Sequence, residues 1–530
     1  MVIKADIALR DLSFEPSWND GHVTVGNSRI TPYAHDSLET LLVRATDQWF
    51  VIVRERQASS HQLSVTPRGA FIPEHVDDAE FHRLYQECVL WPLDYIMVEV
   101  ARTGHRLRIR AGVLGSVPVY CRATDDRVTV SWDSGDFASG PVAIDAEIAS
   151  HRLALHTIYS ARQLCVGVTM LTERASLHVE PGRATYRYPE PVAESFPSED
   201  LAERDVLQAF GEALHRAVSM RPLAKSGTSI ELSGGMDSAT VATTLAMYDE
   251  GIASKGILLD GTVRAPQVER RTAIVRRLGL LDDTVDITSY PPELDLAVAP
   301  DRPYGFYRDF YLEACSALWS SASAQGRHVL FTGIGGDELF PAYASEMRTG
   351  GIENPEWVHQ SSVYAESLMT PHALNAARSL RTFDAPASPV PTTSLLAHAC
   401  RSSDLLHHSQ WPVNPLSDPR LVAFCHRLPK DSRRGREVMR QYLQSHLGSD
   451  VFARGYVKET FADVLPPLVS QHAKALARQL DECALADLGL VNRQAVLDLL
   501  LKVVETRAHS PTSAFASFLS LERFARQASS

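Results

Sequence analysis

Ser233-Gly234-Gly235-Met236-Asp237-Ser238 lies between a short β-type run, Thr228-Ser229-Ile230-Glu231-Leu232, and a helical stretch from Ala239 to Tyr248. Glycines at such a junction let backbone N–H groups approach an anion, and the helix start beyond them offers further unpaired donors. Ser233 and Ser238 add hydroxyls without bulk. Asp237 is the discordant member, because a carboxylate inside a phosphate cradle repels its guest unless a cation lies between them. The loop therefore predicts Mg²⁺ bridging Asp237 and a polyphosphate. It is not a P-loop, which ends in Gly-Lys-Ser/Thr after four intervening residues. A bare Gly-Gly would read as a tight strand-to-helix turn with a helix cap. The whole hexapeptide after a β-run favours the anion cradle.

Outward from this loop the pattern keeps one rhythm. Gly256 to Asp260 reads as a second strand, Val268 to Leu278 as a helix, and Thr284 to Ile287 as a third strand. Tyr311 to Ala324 is the next helix and His328 to Phe331 a fourth strand. Strand and helix in alternation predict a parallel sheet covered on both faces. From about residue 350 the chain reads as mostly helical. Before about 190 it is β-rich, with short runs at Trp49–Val53, Tyr95–Val100, Leu107–Arg110 and Arg127–Trp132 separated by turn residues such as Gly112, Gly115 and Pro118. Pro189-Glu190-Pro191 and Phe196-Pro197-Ser198-Glu199-Asp200 make a linker. Two domains follow, at 1–190 and 200–530, in an α/β chain.

Composition sets the class. A chain of 530 residues that is 45% hydrophobic and 22% charged is a multidomain globular protein. The net charge of −12 argues against general nucleic-acid binding; the densest basic run is Arg433-Arg434-Gly435-Arg436. Seven scattered cysteines without a C-x-x-C pair disfavour a zinc site or disulfide framework and point to a reducing cytoplasm. No signal-peptide core and no long apolar stretch is present, so a cytoplasmic protein without a membrane partner is expected.

A second motif, Phe331-Thr332-Gly333-Ile334-Gly335-Gly336-Asp337-Glu338-Leu339-Phe340, follows the fourth strand. The hexapeptide at 233–238 resembles the pyrophosphate loop of the ATP pyrophosphatase superfamily, and the second motif resembles the matching loop of the asparagine synthetase B family. The resemblance covers the whole chain, strongest over 228–345 and 410–495 and weak before 100. It implies ATP as cosubstrate, cradled by Ser233, Gly234, Gly235, Met236, Asp237 and Ser238 with Gly333, Gly335 and Gly336. It also implies Mg²⁺ held by Asp237 and Asp337, and adenine near Leu258, Leu259 and Asp260. The alternative for Asp337 is a loop carboxylate capping the next helix. Arg454-Gly455-Tyr456-Val457-Lys458-Glu459-Thr460-Phe461, after Asn414 to Arg420 and a helix through Leu421–His426, is similar to the family's C-terminal stretch, in which a lysine reaches the reacting phosphate. The resemblance makes Lys458 catalytic, with Asp237 and Asp337, since charge builds on the departing pyrophosphate. A solvated surface lysine is the commoner fate of that residue type.

Asparagine synthetases release ammonia in an N-terminal glutaminase domain with a cysteine nucleophile. Here Val2 stands in its place. Ala111-Gly112-Val113-Leu114-Gly115-Ser116-Val117-Pro118-Val119-Tyr120 is similar to that domain's Arg-Asp-x-x-Gly-x-x-Pro-Leu-Tyr stretch, but Ala111 and Gly112 replace the arginine and aspartate. The resemblance thus implies a β-rich sandwich of the Ntn glutaminase type that has lost its activity. Two amidating subfamilies share this loss, the β-lactam synthetases and the lasso peptide cyclases. β-Lactam synthetases carry a tyrosine two residues after the threonine of the second loop, and asparagine synthetases a glutamate. Ile334 cannot move a proton. Leu485 to Asn492 resembles a C-terminal segment of lasso peptide cyclases, though it also reads as a helix end capped by Gly489.

The expectation is a lasso peptide cyclase. It would adenylate an Asp or Glu side chain of a leader-cleaved core peptide, then join it to the peptide's N-terminal amine with release of AMP and pyrophosphate. A leader peptidase and a leader-binding protein are the expected partners. The alternatives are a β-lactam or carbapenam synthetase-like amide synthetase, and an asparagine synthetase using free ammonia. A binding-only pseudoenzyme would have both catalytic loops degraded, whereas Asp237 and Asp337 are intact, and a tRNA-thiolating relative would show paired cysteines and a basic surface. The aromatics Tyr304, Phe306, Tyr307, Phe310 and Tyr311 are candidates for a peptide pocket, or ordinary core.

Overall fold

The computed structural model describes residues 2–58, 68–138, 141–192, 203–223, 226–248, 251–297, 304–340, 355–453 and 459–529. Three sheets organise these residues. A seven-stranded antiparallel sheet is assembled from segments between Ile3 and Leu171. A six-stranded antiparallel sheet comprises β1 (Leu38–Arg44), β2 (Gln48–Glu55), β3 (Tyr95–Ala101), β4 (Arg106–Ala111), β5 (Ser176–Glu180) and β6 (Arg183–Arg187), in the order β6-β5-β4-β3-β2-β1. The β-rich expectation for this part holds, and all four quoted runs are strands. β-Branched and aromatic residues explain why: Trp49, Phe50, Val51, Ile52 and Val53 are all buried in β2. Helix α1 (Asp78–Val89) lies against this sheet, with Phe81 packed on Phe50. β4 alternates strictly, with Leu107 and Ile109 inside and Arg106, Arg108 and Arg110 outside.

The third sheet holds the quoted loops. Its strands are β7 (Thr228–Glu231), β8 (Ala253–Leu258), β9 (Leu281–Asp286), β10 (Val329–Phe331) and β11 (Trp411–Val413), ordered β9-β8-β7-β10-β11. Every pairing is parallel. Helices α2 (Glu203–Ser219), α3 (Met236–Ala246), α4 (Arg264–Leu278) and α5 (Leu312–Ala324) alternate with these strands as read from the sequence. β11, between α6 (Thr392–His407) and α7 (Pro419–Arg427), was not anticipated; Trp-Pro-Val is too short to show a period. The strand order reverses between β7 and β10, and in open parallel sheets ligands bind beyond the strand ends at such a point. Both glycine loops leave from there. After Pro355 the described chain is mostly helical, and no described helix is long and apolar enough to cross a membrane.

The N-terminal sheets and the parallel sheet meet at a buried ion pair. Glu55, at the end of β2, accepts from Arg221 Nε at 2.9 Å and Arg221 Nη2 at 3.0 Å. It also accepts from Trp411 Nε1 of β11 at 2.6 Å and from the Asp94 N–H at 3.1 Å. Glu55 is 1% exposed, so these bonds are what make its charge tolerable there.

Two histidines cross the same junction as neutral rings. His35 accepts the Ser37 N–H at Nδ1 (3.0 Å), so its proton sits on Nε2, which meets the His328 carbonyl at 3.0 Å. His398 places Nδ1 3.3 Å from the Gly115 carbonyl, and its Nε2 is buried. Burial pushes both down to about 4. Above pH ~6.5 each is neutral folded and unfolded, so neither affects stability. Below it the unfolded chain takes up the proton first, and stability falls steadily as pH drops towards 4. Thermal unfolding followed between pH 7.5 and 4 should show this fall, and His398→Gln should flatten it.

Candidate active site

Ser233 to Ser238 form the turn from β7 into α3, closed by its own hydroxyls. The Ser233 N–H donates to Ser238 Oγ at 3.2 Å, the Gly235 N–H to Ser233 Oγ at 3.2 Å, and the two hydroxyls lie 3.2 Å apart. The serines were read as donors to a ligand; here they first shape the loop. Met236 was placed in the nucleotide cradle, but its side chain is fully buried in the core, so only its main chain can serve there. Asp237 stands in the first turn of α3, where the helix N-terminus favours a negative charge.

The second loop presses on the first. A Cβ at Gly333 would lie 2.6 Å from the Ser238 nitrogen, and one at Gly336 would lie 2.2 Å from Asp237 Oδ1. Both distances are below any real contact, so glycine is obligatory at this approach. Gly335 closes the turn with φ +105°. Thr332 Oγ1 donates to Asn414 Oδ1 at 2.6 Å and accepts from the Ile334 N–H, and Ser417 Oγ donates to the Ile334 carbonyl at 3.0 Å. The Asn414–Ser417 turn thus holds the loop from behind, while the Ile334 side chain has nothing to titrate.

Asp237 and Asp337 converge in the structure on one cation, the guanidinium of Arg436. Its Nη1 lies 2.9 Å from both Asp237 oxygens, and its Nη2 pairs with Asp337. The side chain is 1% exposed and its backbone is left-handed, φ 59°. The basic run around it was read only as a local charge cluster. The usable signal was Gly435 before an arginine between two helical stretches, a turn that points a cation inward.

Two further residues escaped the sequence reading. Gln267 of α4, 2% exposed, donates to the Ser233 and Ile257 carbonyls, each at 3.0 Å, and accepts the Leu259 N–H at 2.9 Å. It fixes the pyrophosphate-type loop to the end of β8, where Leu258 is half-buried, Leu259 buried and Asp260 exposed. Gln267→Ala is expected to cost about 1–3 kcal/mol in urea unfolding, the range for orphaned buried polar groups. Arg270 donates to the Gly234 carbonyl at 3.0 Å and pairs with the buried Glu459. Glu459 neighbours Lys458, which lies outside the described residues together with Arg454 to Val457.

The aromatic stretch divides. Phe306 is core, packed on Tyr120 and Phe524, whereas Tyr311 packs at a tilt on Phe461, ring centroids 4.1 Å apart, and donates to its carbonyl at 3.0 Å. Burial, helped by the Asp309 charge, holds the Tyr311 phenol well above its ordinary value, so it is no base near neutral pH.

The family model described as asparagine synthase matches residues 209–526. No curated protein matches the sequence significantly. Among solved structures, a U34-tRNA thiolase from Methanococcus maripaludis, with its [4Fe-4S] cluster, is 12% identical, covering 57% of this chain and 82% of its own, with TM-score 0.24. An NMN synthetase from Francisella tularensis is 14% identical, covering 43% and 94%, with TM-score 0.17.

Proposed function

The chain belongs to the asparagine synthase family, whose model spans more than half of its length, and we propose that it closes the macrolactam ring of a lasso peptide. It is an ATP-dependent ligase. One observation carries the site assignment: the loops bearing Asp237 and Asp337 meet closely enough to share a single cation. Two carboxylates at the mouth of a parallel sheet also suit Mg²⁺, which takes one or two protein carboxylates and completes its shell with phosphate oxygens and water. When bound there, the ion neutralises charge on the phosphates. The guanidinium of Arg436 holds both carboxylates in register.

In this reading ATP lies along residues 233–238, with its adenine at Leu258, Leu259 and Asp260. A side-chain carboxylate of the peptide attacks the α-phosphorus, giving an acyl-adenylate and pyrophosphate. The peptide's α-amine then attacks the acyl carbon, losing a proton and expelling AMP. Lys458 offsets charge developing in these steps. Positioning the threaded ends contributes on the order of 7–11 kcal/mol in well-oriented systems. In this reading the β-rich N-terminal part is a glutaminase relative that has lost its nucleophile, a reading supported by the apolar, buried Val2. The amine therefore comes from the peptide, and Ile334 argues against the proton-moving dyads of the small-molecule relatives.

The test is pyrophosphate release with candidate core peptides, read alongside mass spectrometry for loss of one water. Cyclisation with AMP formed is expected, and Lys458→Ala should lower turnover by about a hundredfold or more. Asparagine formed from free aspartate with ammonia, or turnover yielding ADP, sinks the assignment.

A further inference from the structure

Among the described residues, the outer face of the six-stranded sheet is exposed beyond α1 at Arg106, Arg183 and Arg187. There β4 and β6 present Arg106, Arg108, Arg110, Arg183 and Arg187, against Glu99 and Glu180. Registers put them on one face: Arg108 stands opposite Glu99 and His178, Arg110 opposite Ser176, and Ser176 opposite Arg187. A patch of this sign is unusual in a chain of net charge −12. Arg108 is committed internally, to Glu99 and the Tyr85 hydroxyl, and Arg110 reaches Glu99 at 3.4 Å. Arg106, Arg183 and Arg187 are exposed and have no ion pair among the described residues. Between α1 and these strands runs a groove of about 460 Å³, lined by Arg106, Arg187, His82 and His178 together with Glu99 and Glu180, with Phe81 and Ala101 as its apolar part.

We propose that this face docks an extended acidic polypeptide segment. Alternate outward residues on a strand recur every ~6.6–6.8 Å, and an extended peptide with carboxylates at every second position has the same period. The positive charge runs past the groove to Arg183, over a length that a compact anion does not span. Opposite charge in register supplies both steering and specificity. Recognition of single-stranded nucleic acid by a sheet relies on exposed aromatic platforms. Tyr85, the groove's tyrosine, is half-buried and bonded to Glu99.

The experiment uses the full chain and a fluorescein-labelled alternating Glu-Thr peptide, followed by anisotropy across a salt series. Binding that weakens with salt is expected, with the Gln-Thr peptide silent. The double variant R106E/R187E should lose about tenfold or more, while K474E/K502E, an equal charge change on exposed lysines of the C-terminal helices, should not. Pyrophosphate release by R106E/R187E should match the parent, which separates this surface from the catalytic site. Equal binding of the Gln-Thr peptide, retention of affinity in R106E/R187E, equal loss in K474E/K502E, or stronger competition by oligothymidylate would each overturn the proposal.

Discussion

Asp237→Ala is expected to reduce pyrophosphate release by at least about a hundredfold, the scale of losing one preorganised charge partner at a reacting group, while far-ultraviolet dichroism stays that of the parent. The position is demanding for three reasons. Asp237 sits at the start of α3, its oxygens meet Arg436 at 2.9 Å, and the second loop closes against it without room for a Cβ at Gly336. Gly336→Ala should therefore give the same phenotype by geometry alone, because its methyl group would occupy space within 2.2 Å of Asp237 Oδ1. Asp337→Ala removes the other half of the pair. If Asp237→Ala turns over normally, the shared-cation site is not the catalytic centre. If only Gly336→Ala is active, the carboxylate matters but the close approach does not.

Much of this was readable in the chain because it is local. The strand–loop–helix rhythm from Thr228 to Phe331 and both glycine loops depend on short-range periodicity and turn chemistry, and the structure reproduces them within a few residues. Arg436, Gln267 and Arg270 were not legible, because each acts across the fold. Arg436 lies 199 residues from Asp237, and its part depends on how the chain returns to the sheet. Gln267 reads on its own as an ordinary polar position in a helix, and only the neighbouring ends of β7 and β8 give it three partners. Met236 went the other way: adjacency in sequence put it in the cradle, and helix geometry turned its side chain into the core.

Glu55→Ala should be the most damaging change outside the site, costing roughly 3–5 kcal/mol, the usual range when one member of a buried ion pair is removed. The variant strands the Arg221 guanidinium, 9% exposed, and leaves Trp411 Nε1 without its acceptor in a fully buried ring. Glu55→Gln should cost less, since an amide keeps an oxygen for one donor but cannot neutralise the arginine. The double variant Glu55→Ala/Arg221→Ala should recover part of the loss, because no buried charge is then unpaired. Urea unfolding of the four proteins measures this coupling. The damage should also reach catalysis. Trp411 belongs to β11, which pairs with β10, and β10 leads directly into the loop holding Gly336 and Asp337. Loss of stability below about 1 kcal/mol in Glu55→Ala would mean that water reaches this junction and screens the charge, as for a surface pair. The N-terminal sheets would then lean on the catalytic sheet through apolar packing and neutral hydrogen bonds such as that of His35 with the His328 carbonyl.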